Sequence, residues 1–132
     1  VAGSSLYLDT FSSSTYVVDI ENLGGDIPLG TGNNALGGDI SEGVVAAVLY
    51  DLSDSTNEIN DSVSNTQGVF TALSALSSGP VSRGTSGVDL IDFLDAWFCA
   101  GLGNKGNAMS GVMGIVNTKH QVPYDYPESC VR

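Results

Sequence analysis

The stretch that decides the fold is Asp89-Leu90-Ile91-Asp92-Phe93-Leu94-Asp95-Ala96-Trp97-Phe98-Cys99. Leu90, Ile91, Leu94, Trp97 and Phe98 recur at helical spacing and make a wide apolar face. Ser86 stands where a cap is wanted, and Asp89 three residues on gives a box-like start. Gly101-Leu102-Gly103-Asn104 supplies the stop. The spacing predicts a helix over 87–100. Asp89, Asp92 and Asp95 drift by about 60° per step along it, so they are expected on its solvated side.

Working outward, residues 66–77 predict a second helix, with Val69, Phe70, Leu73 and Leu76 as its buried face and Ser78-Gly79-Pro80 as its stop. A further helix is predicted over 41–53, from Val44, Val45, Val48, Leu49 and Leu52 on one stripe. Asp39 or Ser41 can cap it, and Glu42 lies in its first turn, where the helix dipole favours an acid. On the C-terminal side, Met109, Val112, Met113 and Val116 predict a fourth helix over 107–118, weakened by Gly111 and Gly114. Pro123 and Pro127 mark an irregular tail.

The N-terminal part reads differently. Ser5–Asp9 and Thr15–Ile20 are rich in aromatic and β-branched residues, with serines at 12–14 between them. A β-hairpin or two extended pieces fits. Residues 22–39 are glycine-rich and read as a long loop. The expected architecture is therefore mainly α with an N-terminal extended or β-hairpin region (α+β), a small bundle of about four helices. One domain covers 1–132: an extended and loop region over 1–39, a helical core over 40–120 and a disulfide-tethered tail over 121–132.

Composition narrows the function. The 132 residues carry 15 acids against Arg83, Lys105, Lys119 and Arg132, for a formal charge of −11. No basic patch can be assembled for nucleic acid or an anionic membrane. One histidine cannot make HExxH. No run of eighteen apolar residues exists, so no membrane span is expected. Val1–Ser5 contains neither the basic nor the apolar part of a signal peptide. The richness in Ser, Asn and Gly with few lysines suits a secreted, extracellular protein. Cys99 and Cys130 are expected to pair, tying the tail to the core; closing a loop of about 30 residues contributes ~3–4 kcal/mol. Two separate buried thiols are the alternative.

Three pieces together resemble a known family. They are Tyr7-Leu8-Asp9-Thr10 followed by Val18-Asp19-Ile20-Glu21-Asn22, then Ser41-Glu42-Gly43-Val44-Val45-Ala46-Ala47-Val48-Leu49-Tyr50-Asp51-Leu52-Ser53-Asp54, then Leu90-Ile91-Asp92-Phe93-Leu94-Asp95-Ala96-Trp97. Over residues 5–100 the chain resembles the C-terminal portion of secreted bacterial metallopeptidase-like proteins of the HExxH…EGWA type. The 41–54 helix is the most specific piece. The departures are as telling. The zinc histidines, the glutamate between them and the EGWA ligand are absent, and Tyr50 stands where that family has Trp. The resemblance implies a fold fragment and a secreted origin, without catalysis in this stretch; the parent protein would be a zinc metallopeptidase.

Candidate residues follow. The resemblance places Glu42 on the helix after the zinc helices, facing an active site or substrate; an acid that merely suits the helix dipole is the plainer role. Asp51, Asp54, Asn57, Glu58, Asn60 and Asp61 crowd oxygens into eleven residues. Asp51, Asp54, Asn57 and Asp61 could hold Ca²⁺, though not at EF-hand spacing. A solvated helix end is the alternative. Asp9, Asp19, Glu21 and Asp26 form a second acidic set, in which Asp19 and Glu21 alternate on one strand face. They fit either an exposed face or a carboxylate pair. His120 stands alone near Lys119 and Tyr124 and suits a structural or surface role. Trp97 and Phe98 suit the core better than a carbohydrate platform. Asn60-Asp61-Ser62 is a glycosylation sequon, idle in an ordinary bacterial context.

The expected function is a non-catalytic secreted domain. Its partner would be the upstream zinc-bearing segment of the same precursor. The alternatives are a self-assembling extracellular protein of filament or surface-layer type, associating with its own copies, and a carboxylate-dependent hydrolase using Glu42 or Asp19 and Glu21. No cofactor is demanded, Ca²⁺ aside.

Overall fold

A computed structural model describes residues 6–11, 14–19, 42–56, 58–76, 83 and 88–130. Strands β1 (Leu6–Phe11) and β2 (Ser14–Asp19) pair antiparallel, in a register running from Leu6 opposite Asp19 to Phe11 opposite Ser14. The other described elements are helical: α1 (Glu42–Ser53), α2 (Thr66–Ser74), α3 (Leu90–Cys99) and the short α4 (Gly111–Met113), which runs on as a π-helix over Gly114–Lys119. The chain is mainly α, and the helices form a small bundle.

Helix α3 packs against α2 and is buried along nearly its whole length. Every residue from Leu90 to Phe98 except Asp92 is buried, as expected of a helix surrounded by others. Its start is three residues later than the spacing predicts. Asp89 is the cap: its side chain accepts from the Ile91 and Asp92 amides, while Asp92 accepts from the Asp89 amide. The capping box is present, but built from Asp89 and Asp92; Ser86 lies outside the described residues. Asp95 is not on a solvated side. It is 2% exposed.

Helix α1 buries Val44, Ala47, Val48, Asp51 and Leu52, a stripe at spacing 3-1-3-1. Val45 and Leu49 pack half-buried against the same core. The turn after it folds α2 back along α1: the Asn65 amide donates to the Leu52 carbonyl at 2.8 Å and the Thr66 hydroxyl to the Ser53 carbonyl at 3.0 Å.

Helix α2 ends at Ser74, not at 77, and its buried face is turned. Gly68, Val69 and Ala72 are buried, whereas Phe70 is 61% and Leu73 42% exposed. The cause is close approach. A Cβ on Gly68 would lie 2.9 Å from the Trp97 ring of α3 and 2.5 Å from the Asn65 amide that caps the helix. The small residues set this face against α3, and the larger ones turn outward.

The fourth helix is shorter than 107–118. Residues 107–110 form a tight turn, with Asn107 and Ser110 exchanging both backbone hydrogen bonds, so Met109 is 68% exposed. Gly111 follows at φ +64, where a Cβ would lie 2.6 Å from the Asn104 carbonyl; a side chain there would be strained and crowded. Winding then loosens to the π form, with the His120 amide reaching the Ile115 carbonyl, five residues back. Among the described residues no helix is long and apolar enough to cross a membrane.

The tail is packed down. Val122 and Tyr124 are buried, and the Phe98 ring stacks near Tyr124 and meets Tyr126 edge-on, with centroids 6.2 and 4.7 Å apart. Cys99 and Cys130 form a disulfide with Cα atoms 5.4 Å apart, closing 31 residues.

Candidate functional site

The last turn of α1, the polar loop after it and the end of the π-helix meet in one buried ionic cluster. Asp51 is fully buried on α1 and Asp61 is 1% exposed. The loop residues Glu58 and Asp61 exchange both backbone hydrogen bonds, closing a turn in which Asn60 adopts φ 68. An asparagine tolerates that left-handed conformation. This turn presents Glu58 and Asp61 to Lys119.

Lys119 stands among the acids. Its Nζ lies 2.9 Å from Glu58 Oε2, 3.1 Å from Asp51 Oδ1 and 3.4 Å from Asp61 Oδ2. The contact with Asp51 is an ion pair. The other Asp51 oxygen, Oδ2, is 2.5 Å from His120 Nε2. The π-winding places Lys119 and His120 side by side against α1.

The electrostatics follow from this crowding. Burial, aided by the charge of Asp51, pushes the Asp61 carboxyl up to about 6. Burial and Asp51 also raise Asp54 above the usual carboxylate range. Burial works against the Lys119 charge, but its hydrogen bond to Glu58 and the charges of Asp51 and Asp61 outweigh it and hold the ammonium well above its usual range.

A second polar cluster locks the tail. Arg83 Nε and Nη2 donate to the two oxygens of Asp95 at 2.8 and 2.5 Å, and Nη1 and Nη2 reach the Asp125 carboxylate and carbonyl at 2.8 and 2.9 Å. The Tyr124 hydroxyl donates to Asp95 at 2.9 Å. Hydrogen bonding to Asp95 pushes Arg83 upward, and burial together with the Asp95 charge pushes the Tyr124 hydroxyl upward.

Of the residues singled out from sequence, Asp51, Asp54 and Asp61 belong to one cluster, with Glu58. Their shared counter-ion is the Lys119 ammonium; among the described residues no three acidic, histidine or cysteine side chains are grouped to hold a metal ion. Asn57, Glu21 and Asp26 lie outside the described residues. Glu42 is the first residue of α1, and Asp9 and Asp19 are on the strands. His120 is not alone, since it pairs with Asp51. Trp97 is a core residue, its Nε1 donating to the Gly103 carbonyl at 3.2 Å. Lys119, Arg83 and Tyr124 were not legible as site residues. The available signal was scarcity: four basic residues face fifteen acids, so each cation has many acids competing for it.

Comparison of the chain with protein-family profiles, with curated proteins and with solved structures gave no match.

Proposed function

We propose that this chain is a non-catalytic, secreted extracellular domain, the C-terminal lobe of a metallopeptidase-like protein without its zinc-bearing helices. The observation that carries the proposal is the commitment of the interior charges to one another. Asp51 and Asp61 are buried against Lys119 from the far end of the helical region, and Asp95 against Arg83, 12 positions before it. Such groups act as internal cross-links between segments of the chain. The Cys99–Cys130 disulfide is consistent with an oxidising compartment. The test is incubation of the purified chain with casein and a peptide library, with and without chelator. No cleavage is expected, and chelator-sensitive cleavage overturns the proposal.

A second reading is a self-assembling extracellular protein. It is favoured by the β1–β2 pair, in which each strand has one strand neighbour among the described residues, the kind of edge that can pair with another copy. Concentration-dependent light scattering supports it; a monomer at millimolar concentration excludes it.

A further inference from the structure

We propose that the Asp51–Asp61–Lys119–His120 cluster is a proton-operated clasp between α1 and the π-helix, looser with all its carboxylates ionised and tighter in a mildly acidic medium.

Four carboxylates bear on this place: Asp51 from α1, and Asp54, Glu58 and Asp61 from the loop. Facing them from the π-helix and its end are one ammonium, Lys119, and one imidazole, His120. Among the described residues these groups serve as each other's counter-charges, with acids in excess. Acceptors also outnumber donors: among the described residues Asp54 Oδ1 is buried without a hydrogen-bond donor, and Asp51 Oδ1 shares the Lys119 ammonium with Glu58 and Asp61. Among the described residues the side-chain contacts of Asp61 are long, 3.4 Å to Lys119 and 3.4 Å to the Val63 amide. A buried carboxylate so weakly solvated by its surroundings favours its neutral form. A proton on Asp61 removes one surplus charge and supplies a donor.

The direction of the effect follows from linkage. The folded chain holds the Asp61 proton up to about pH 6, whereas an unfolded aspartate releases it near pH 4. Between those values the folded state binds more protons, so stability falls as pH rises. The penalty is complete above pH 6 and is relieved as the medium is acidified.

The experiment is urea unfolding of the full, disulfide-intact chain between pH 8 and 5, for the wild type, Asp61→Asn and Glu128→Gln, an exposed acid far along the tail. The wild-type midpoint should move to higher urea on acidification. Asp61→Asn should start higher at pH 8 and show less than half of that rise. Glu128→Gln should keep the wild-type profile, which separates the clasp from general relief of the −11 charge. A wild-type midpoint that is flat or falls on acidification, or an Asp61→Asn profile as steep as wild type, overturns the proposal. Should Asp61→Asn not fold, carboxyl carbon NMR of the wild type decides. A titration midpoint for Asp61 near pH 6 supports the clasp, and one at or below about pH 4 overturns it.

Discussion

His120 Nε2 and Asp51 Oδ2 are 2.5 Å apart across 69 positions of sequence. The next residue back, Lys119, reaches the other oxygen of the same carboxylate at 3.1 Å. One buried aspartate on α1 thus receives two adjacent side chains from the opposite end of the helical region. Removing a partner from such a pair strands a charge that the interior cannot solvate.

The Arg83 cluster should behave in the same way. Arg83→Met leaves Asp95 buried with, among the described residues, the Tyr124 hydroxyl as its remaining side-chain donor. A loss of about 3–5 kcal/mol is expected in chemical denaturation. Tyr124→Phe removes one hydrogen bond to a charged group and should cost about 1.5–3 kcal/mol. A loss below about 0.5 kcal/mol for Arg83→Met would mean that the guanidinium does not hold Asp95.

Opening the disulfide should release the tail. Cys99→Ser with Cys130→Ser should lower stability by roughly 2–4 kcal/mol on the loop-entropy account. Thermal melting read by the near-ultraviolet signal of Trp97 checks it. An unchanged melting temperature would show that packing of Phe98 against Tyr124 and Tyr126 holds the tail without the bond.

Gly68→Ala sets two effects against each other. Alanine favours a helix interior by about 1 kcal/mol. Against this, the added methyl meets the buried Trp97 ring at 2.9 Å and the capping Asn65 amide. Overpacking of a close helix contact costs about 1–3 kcal/mol, so net destabilisation is expected. A more stable variant would show that α2 can slide away from α3 without loss.

The outward face of α2 gives the complementary test. Phe70→Ser and Leu73→Ser should each change stability by less than about 0.5–1 kcal/mol in this isolated chain, because both side chains are largely in water. Leu94→Ala, fully buried on α3, should cost about 2–5 kcal/mol. A cost at Phe70 equal to that at Leu94 would place Phe70 in a core.

How much of this was legible depended on the kind of signal. Helical periodicity located α1 and α3 closely, because Val44, Val48 and Leu52, and likewise Leu90, Ile91 and Leu94, are both apolar and buried. It rotated α2 wrongly. Periodicity weighs Phe70 and Leu73 by their apolarity, whereas helix approach is set by the small Gly68 and Ala72. It also extended the fourth helix backward through Met109, since nothing in an apolar pattern reveals that Gly111 needs a positive φ. The acids at 51–61 were visible as a crowd. Their counter-ion was not, because Lys119 lies 58 positions beyond Asp61 and reaches it only through the π-winding. Asp95 read as solvated by its spacing from Asp89 and Asp92; its burial depends on Arg83 and Tyr124, which no local pattern connects to it.

The central claim is that the charged interior holds the fold together, with Lys119 as the ion its acids share. Urea unfolding of Lys119→Met against wild type at pH 7.5 tests it most directly. The substitution keeps the aliphatic stem and removes the charge, leaving Asp51 and Asp61 buried without their ammonium. The predicted result is a loss of about 3–5 kcal/mol, partly recovered at pH 5. A variant within about 0.5 kcal/mol of wild type at pH 7.5 would contradict the claim.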